Sequence, residues 1–407
     1  MDRNIDRIDH NFGPISLKID LFQLFLGLFT VFILITLHLK VFTVAGFDLS
    51  VAFLLIPTWA ILCFRWSPFR YYKYSLFFFI LSALLPFVPL NIFDFVEFFK
   101  TYFQFICSSS IVFLVALYNE VRIKRNTLII SLKLFQIILS IVVAIQAIDF
   151  FLTGGSFLYN IWGSSQLYYE LQPSDRMKGF YLEPSYLGFV FTNVFWLLLF
   201  LERRISRFNL IITIVLLFFC KSAFAYLSIF FLISHYIIRS KLPRISLTFR
   251  FIIGIFIIVF FSFFLQDFIK ITRLYELWEG QASGYIRMIL PLFIIAKIAS
   301  DGNYFGLAFG QAESLISEFI TFDFGETGVN NSLYLLVIHF GVLAVAGILY
   351  LIRFLFLKKG FYIQSFVLLT FMNLFNSGSF VTSLFVFVSF LLPIAAFKLV
   401  KDECLTL

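Results

Sequence analysis

Long apolar runs separated by short polar breaks dominate the chain. A helix that crosses a bilayer needs about 20 mostly apolar residues, and runs of that length with few charges have that reading. Twelve runs meet it, near 19–38, 48–64, 74–93, 101–118, 127–151, 182–201, 208–220, 222–238, 249–267, 331–356, 361–377 and 380–397. The pattern predicts an all-α polytopic membrane protein of about 12 transmembrane helices. The pair 208–220 and 222–238 is the least distinct, because only Lys221 and Ser222 mark a turn between its members. Fusion of the two would invert the topology downstream.

The polar breaks orient this arrangement. Cytoplasmic loops carry an excess of Lys and Arg. With the N-terminus in the cytoplasm, the inner segments hold Arg3, Arg7 and Lys18; Arg65, Arg70 and Lys73; Arg122, Lys124 and Arg125; and Arg203, Arg204 and Arg207. They continue with Arg239, Lys241, Arg244 and Arg250; Arg353, Lys358 and Lys359; and Lys398 and Lys401, so most of the chain's 31 basic residues are inside. Both termini are then cytoplasmic. Lys133 lies within a span, one to two turns from its inner end, where a long side chain can snorkel. The first apolar run is too long for the core of a cleavable signal peptide, so it is expected to remain as the first span.

Composition sharpens the class. Of 407 residues, 61% are apolar and 13% charged, against about 25% charged in an ordinary soluble domain. Phe contributes 62 residues. A soluble fold of this length cannot hide so much apolar surface. A soluble enzyme, a disordered chain and a secreted disulfide scaffold are excluded. The net charge of +8 follows from topology and does not imply nucleic acid. Cys63, Cys107, Cys220 and Cys404 show no metal or redox spacing. No internal repeat or soluble domain interrupts residues 1–407, which read as a single integral membrane domain.

Two outer segments are long, 152–181 and 268–330, and loops of that length usually have a task. The second is net acidic, so an anion bound there must be held by individually placed cations. Arg176 in DRMKGF, with Lys178 two residues on, and Arg287 in SGYIRM are the candidates. The planar fork of Arg suits bidentate binding of phosphate or pyrophosphate; an interfacial Arg that snorkels to headgroups is the plainer reading. Lys221 sits at a turn between apolar helices, where a charge is costly unless hydrated or paired.

Glu183, in LEPSYLG at the head of a span, has three open readings. It could be a general base toward a sugar hydroxyl, a structural partner of Arg176, or a helix-start carboxylate favoured by the macrodipole. Asn330 and Asn331 could hydrogen-bond sugar or phosphate oxygens, or cap the helix that follows. His339 within that helix reads first as a packed residue and second as a catalyst. Trp162 and Trp278 stand far from span ends and are the candidate sugar-stacking rings; most other loop aromatics fit an interfacial belt. No paired-carboxylate metal motif and no Walker motif is present, so no metal, cofactor or ATP is expected.

These pieces resemble the O-antigen polymerase and ligase superfamily, the Wzy-type and WaaL-type membrane glycosyltransferases. The resemblance lies in Arg176 followed by GFYLEPSYLG, the Lys221-Ser222 turn, Arg287 in GYIRM, and NNSLYLLVIHFGVLAVAG from Asn330. It implies a GT-C-like helical bundle with two enlarged periplasmic loops in the bacterial inner membrane. It implies, further, that the donor glycan rides on undecaprenyl pyrophosphate and that the acceptor is a repeat unit on a second such lipid. Arg176 and Arg287 are then expected to hold pyrophosphate, and a chain-length regulator is an implied partner. Ligases of the superfamily carry a His where this chain has Asn330, which favours polymerase over ligase. The usual Arg near the turn of the seventh and eighth spans is also missing, with Lys221 in its place. A ligase and a lipid-linked oligosaccharide flippase are the alternatives; the latter is disfavoured because the polar residues cluster at the outer boundary rather than at the midplane.

Overall fold

The computed structural model describes residues 20–44, 47–65, 72–88, 95–117, 120–155, 158, 176–181, 183–239, 285, 289–309, 311, 315, 331–356, 361–376 and 382–405. The first half holds helices α1 (Leu21–Thr36), α2 (Val51–Cys63), α3 (Tyr72–Leu84), α4 (Phe95–Leu117), α5 (Arg125–Thr153), α6 (Pro184–Glu202), α7 (Arg207–Cys220) and α8 (Ala223–Arg239). The second half holds α9 (Leu290–Ser300), α10 (Ser332–Phe356), α11 (Phe361–Asn376), α12 (Ser383–Val386), a π-helical turn at Phe387–Leu391, and α13 (Leu392–Leu405).

Four stretches are long and apolar enough to cross a membrane: Phe98–Ala116, Arg125–Thr153, Pro184–Glu202 and Ser332–Arg353. Shorter apolar helices accompany them, so the described part is an all-α membrane bundle. Residues 208–220 and 222–238 form two helices rather than one, with the chain reversing at Lys221. The expected span at 249–267 lies outside the described residues.

Two features depart from the expectation of helices and loops alone. β1 (Lys40–Val44) and β2 (Phe47–Ser50) form an antiparallel hairpin that delays the second helix to Val51. The run Lys-Val-Phe-Thr-Val is rich in β-branched and aromatic residues, which favour a pleated strand over a helix start. β3 (Phe64–Arg65) pairs with β4 (Glu120–Val121). The second departure is α9, an ordered helix within the segment expected to be an outer loop.

The bundle has two chemically distinct ends. Lys124 pairs with Asp20 at 2.9 Å, and Arg65 with Glu120 at 3.1 Å. Gln23 donates to the Arg122 carbonyl at 2.8 Å and accepts from the Lys124 amide at 2.7 Å. Arg125 donates to the Leu201 carbonyl, and Lys133 pairs with Glu202. Lys398 donates to the Val115 carbonyl at 2.9 Å. The starts of α1 and α5, the ends of α4 and α6 and the β3–β4 pair therefore share one end, and its cations match those assigned to the inside. The opposite end gathers the C-termini of α1, α5 and α7 with the N-termini of α6 and α8.

α6 is the hub. Pro184–Glu202 is about 89% buried inside the protein, against about 17% for Ser332–Arg353. A helix that is apolar all round belongs in such a position. Asn209 accepts from Gln136 at 2.7 Å and donates to the Phe195 carbonyl at 3.1 Å, tying α5 and α6 to the first turn of α7. Asn373 of α11 donates to Asn193 of α6 at 2.7 Å.

α10 is broken at Gly341, whose φ of 50° and ψ of −127° leave the helical region. The turn Tyr304–Leu307 fills the break: Val342 donates to the Tyr304 carbonyl at 2.9 Å, and Leu307 donates to the Ile338 carbonyl at 2.8 Å. Both bonds replace ones the helix has lost, as backbone among apolar helices requires. A Cβ at Gly341 would lie 2.0 Å from the Tyr304 oxygen, so only glycine fits.

Candidate active site

The site is built on the segment Arg176–Tyr181, which enters α6 through Glu183. Three neighbouring helices fix it. α5 supplies Gln146, which accepts from the Gly179 amide at 2.8 Å and donates to the Gly179 carbonyl at 3.1 Å. α7 supplies the Phe219 carbonyl, which accepts from the Met177 amide at 2.9 Å. α1 supplies the Leu34 carbonyl, which accepts from the Tyr181 hydroxyl at 3.1 Å. With 29 residues, α5 runs about 44 Å, longer than the roughly 30 Å hydrocarbon core, so its last turns can dock the segment before α6. Asp149 extends that role by accepting from the Leu158 amide at 2.8 Å and the Thr153 hydroxyl at 2.7 Å.

Four of the expected site residues converge here. Arg176 donates through Nε to the Cys220 carbonyl at 3.4 Å. Its guanidinium is thereby laid over the end of α7, beside Lys221. Lys221 closes α7 in the left-handed conformation, with φ of 44°. Gly188 of α6 permits this packing, since a Cβ there would meet the Ser222 Cβ at 2.9 Å. The glycine of LEPSYLG is thus a close-approach residue that brings the Lys221-Ser222 turn against the head of α6.

Lys178 is almost fully buried. Burial pushes its ammonium down to about 8, and the Glu183 carboxylate opposes that shift by favouring the charged form. Glu183 occupies the N-cap position of α6 but makes no capping bond with its side chain. Its carboxylate accepts from the Ser185 hydroxyl at 2.8 Å and acts electrostatically on His38 as well as on Lys178.

A second group surrounds the broken helix. The Asn331 amide donates to the Phe375 carbonyl at 3.0 Å, while its oxygen accepts from the Leu333 amide at 3.1 Å and the Tyr334 amide at 3.4 Å. These bonds cap α10 and tie it to α11. His339 bonds through Nδ1 to the Leu307 carbonyl at 3.1 Å and stands edge-on to Phe309, ring centroids 4.7 Å apart. Arg287, Asn330, Trp162 and Trp278 lie outside the described residues. Tyr285, two residues before Arg287, packs on the cluster of Leu290, Ile294, Ile298 and Ile338, as do Tyr334 and Leu335.

Sequence reasoning missed Gln146, Tyr181, Tyr186 and His38. Gln146 had a legible signal, an amide inside an apolar span. His38 had almost none, since a lone His at a span end reads as packing. Among the described residues, no three His, Cys, Asp or Glu side chains form a group suited to a metal. The site offers two lysines, an arginine, a carboxylate and an imidazole, set at the N-termini of α6 and α8. Helix N-termini favour anions, so this end of the bundle can hold a doubly charged phosphate ester while presenting one carboxylate to a neighbouring hydroxyl.

Comparison with known proteins adds one match. The family model described as WcaD colanic acid polymerase matches residues 25–398, nearly the whole chain. No curated protein and no solved structure matches it.

Proposed function

The chain belongs to the WcaD colanic acid polymerase family, and on that premise we propose that it elongates a surface polysaccharide from repeat units carried on undecaprenyl pyrophosphate, at the periplasmic face of the bacterial inner membrane. Family membership and apolar helices make it a membrane polysaccharide polymerase, an enzyme of the glycosyltransferase type. The carrier, the face and the residue roles are the proposal.

The observation that carries it is the convergence of Arg176, Lys178 and Lys221 with Glu183 at one bundle end. The cations hold the donor's pyrophosphate, and their main catalytic effect is to stabilise charge as it leaves. One well-placed donor is worth about 3 kcal/mol in such a role. Glu183 receives the proton of the acceptor hydroxyl as that oxygen attacks the anomeric carbon. Binding of both substrates within one pocket supplies the orientation that a bimolecular reaction lacks. Arg287 remains a second pyrophosphate ligand in this proposal, and Trp162 and Trp278 remain sugar contacts. No metal or nucleotide is required by this scheme, and a chain-length regulator is a proposed partner.

Purified full-length protein in liposomes, supplied with lipid-linked repeat units from a strain that lacks it, provides the test. Growth of lipid-linked chains supports the reading. Movement of repeat units across the bilayer without elongation rejects it.

A further inference from the structure

The head of α6 fixes Glu183 in two separate ways. Its backbone carbonyl accepts from the Tyr186 amide at 3.1 Å and from the Leu187 amide at 3.3 Å, which makes it the first link of the helix. Pro184 follows, with its φ set by the ring. The peptide position of Glu183 is thereby settled, but the torsions of its side chain are not. A Glu side chain gives up much rotamer freedom when it is held in one place. The Ser185 hydroxyl does the holding: it donates to the Glu183 Oε2 atom at 2.8 Å.

Two facts set this bond apart from an ordinary helix start. A carboxylate at the N-cap position commonly turns to a backbone amide of the first turn, and the Glu183 side chain makes no such bond. Glu183 and Ser185 are both only half-buried, so neither needs the other to compensate for burial. A hydroxyl bonded to a carboxylate is a charge-assisted bond, and it favours the charged form of the acid. Ser185 is therefore placed to keep Glu183 ionised and aimed in one direction.

We propose that Ser185 is the positioning residue for the Glu183 carboxylate in glycosyl transfer. This deepens the reading of the Arg176–Glu183 group as the transfer centre and rests on it. In that reaction the acceptor O–H bond breaks, and its proton goes to the carboxylate as the acceptor oxygen bonds to the anomeric carbon. The bond from that carbon to the pyrophosphate oxygen breaks, and its electron pair stays on the phosphate. Ser185 acts through Glu183, by setting the carboxylate before the acceptor arrives. The other charged or titratable groups around Glu183 are Lys178 from the preceding segment, His38 from the turn after α1, and Arg176 and Lys221 at the end of α7. Tyr181 and Tyr186 stand against the His38 ring. All of these remain in a Ser185 variant, so a change in its pH profile reports the lost hydroxyl.

The liposome elongation assay, run across pH with Ser185→Ala and Ser185→Thr, tests the assignment. Ser185→Ala is expected to lose kcat by about ten-fold, the scale of one charge-assisted bond, with KM changed less than about three-fold. The acid limb of its activity should move up by about 1 pH unit, because the carboxylate has lost a donor that favours its charge. Ser185→Thr keeps the hydroxyl and should keep both kcat and the limb. The double variant Ser185→Ala with Glu183→Gln should lose no more than Glu183→Gln by itself. The position of a pH limb does not depend on how much enzyme is folded, so partial misfolding leaves the result readable. Wild-type kcat in Ser185→Ala, an acid limb that stays in place or moves down, or a Ser185→Thr variant as impaired as Ser185→Ala overturns the assignment. If Arg176→Ala and Glu183→Gln also elongate normally, the transfer centre itself is misplaced; if those two fail while Ser185→Ala works, only the role of Ser185 falls.

Discussion

Two stretches of non-helical backbone sit among the helices, Arg176–Tyr181 and Asp301–Phe309, and they use their polar groups in opposite ways. In the second, the bonds serve the backbone. Leu307 and Tyr304 restore what α10 loses at Gly341, and His339 is held by the Leu307 carbonyl. In the first, the backbone is anchored by Gln146, Phe219 and Leu34 so that charged side chains are left at the bundle end. Lys178 stays buried there beside a carboxylate, and the Glu183 side chain does not cap its helix. Irregular backbone inside a membrane protein is therefore not one signal. Both stretches are anchored through their peptide groups, and what marks the first as a candidate site is the charged side chains it carries.

The largest expected effect comes from breaking the graft. Gly341→Ala places a Cβ on the Tyr304 oxygen in a backbone conformation that L residues avoid. A destabilisation above about 3 kcal/mol is expected, read as lost protein in the membrane and a lowered Tm in detergent. Normal amounts of active protein would show that the graft is dispensable.

Next comes Arg176→Ala. It should reduce elongation about 100-fold or more while membrane protein levels hold. Arg176→Lys should recover little, because a point charge lacks the fork of the guanidinium. Full activity in the alanine variant would move the pyrophosphate away from this segment.

Lys178 gives a pH effect of intermediate size. Its ammonium titrates near 8 because burial disfavours the charge. Raising pH through 8 discharges it, so affinity for the anionic donor falls. KM should rise about ten-fold between pH 7 and 9, following the protonated fraction of such a group. Lys178→Arg stays charged and should flatten that rise. An unchanged slope in Lys178→Arg would assign the titration elsewhere.

The smallest effect belongs to the cap of the helix that receives the graft. Asn331→Ala removes a cap and an interhelical bond, a loss of about 1–2 kcal/mol. Elongation per folded molecule should stay within about three-fold. A loss as deep as that of Arg176→Ala would bring the two regions into one site.

The helical class, the separation at Lys221 and the end at which the basic residues gather were all legible in the sequence. Each follows from local rules of apolar length and charge placement, which need no knowledge of neighbours. Arg176, Lys178, Glu183 and Lys221 were legible as chemistry too, since charges beside apolar helices are rare enough to be noticed. Their convergence was not. It depends on Gly188 admitting the Ser222 turn and on Gln146 holding Gly179, contacts between residues more than 30 positions apart.

The sequence alone therefore fixed a membrane bundle and the residues able to carry charge in it, because solvation by lipid acts on each segment separately. Only the tertiary structure decided which polar groups meet. It tied Asn331 to α11 and His339 to the turn that fills the break in α10, and it laid Arg176 over the end of α7. Such choices turn on packing distances of a few ångströms between distant helices, and no periodicity along one chain records them.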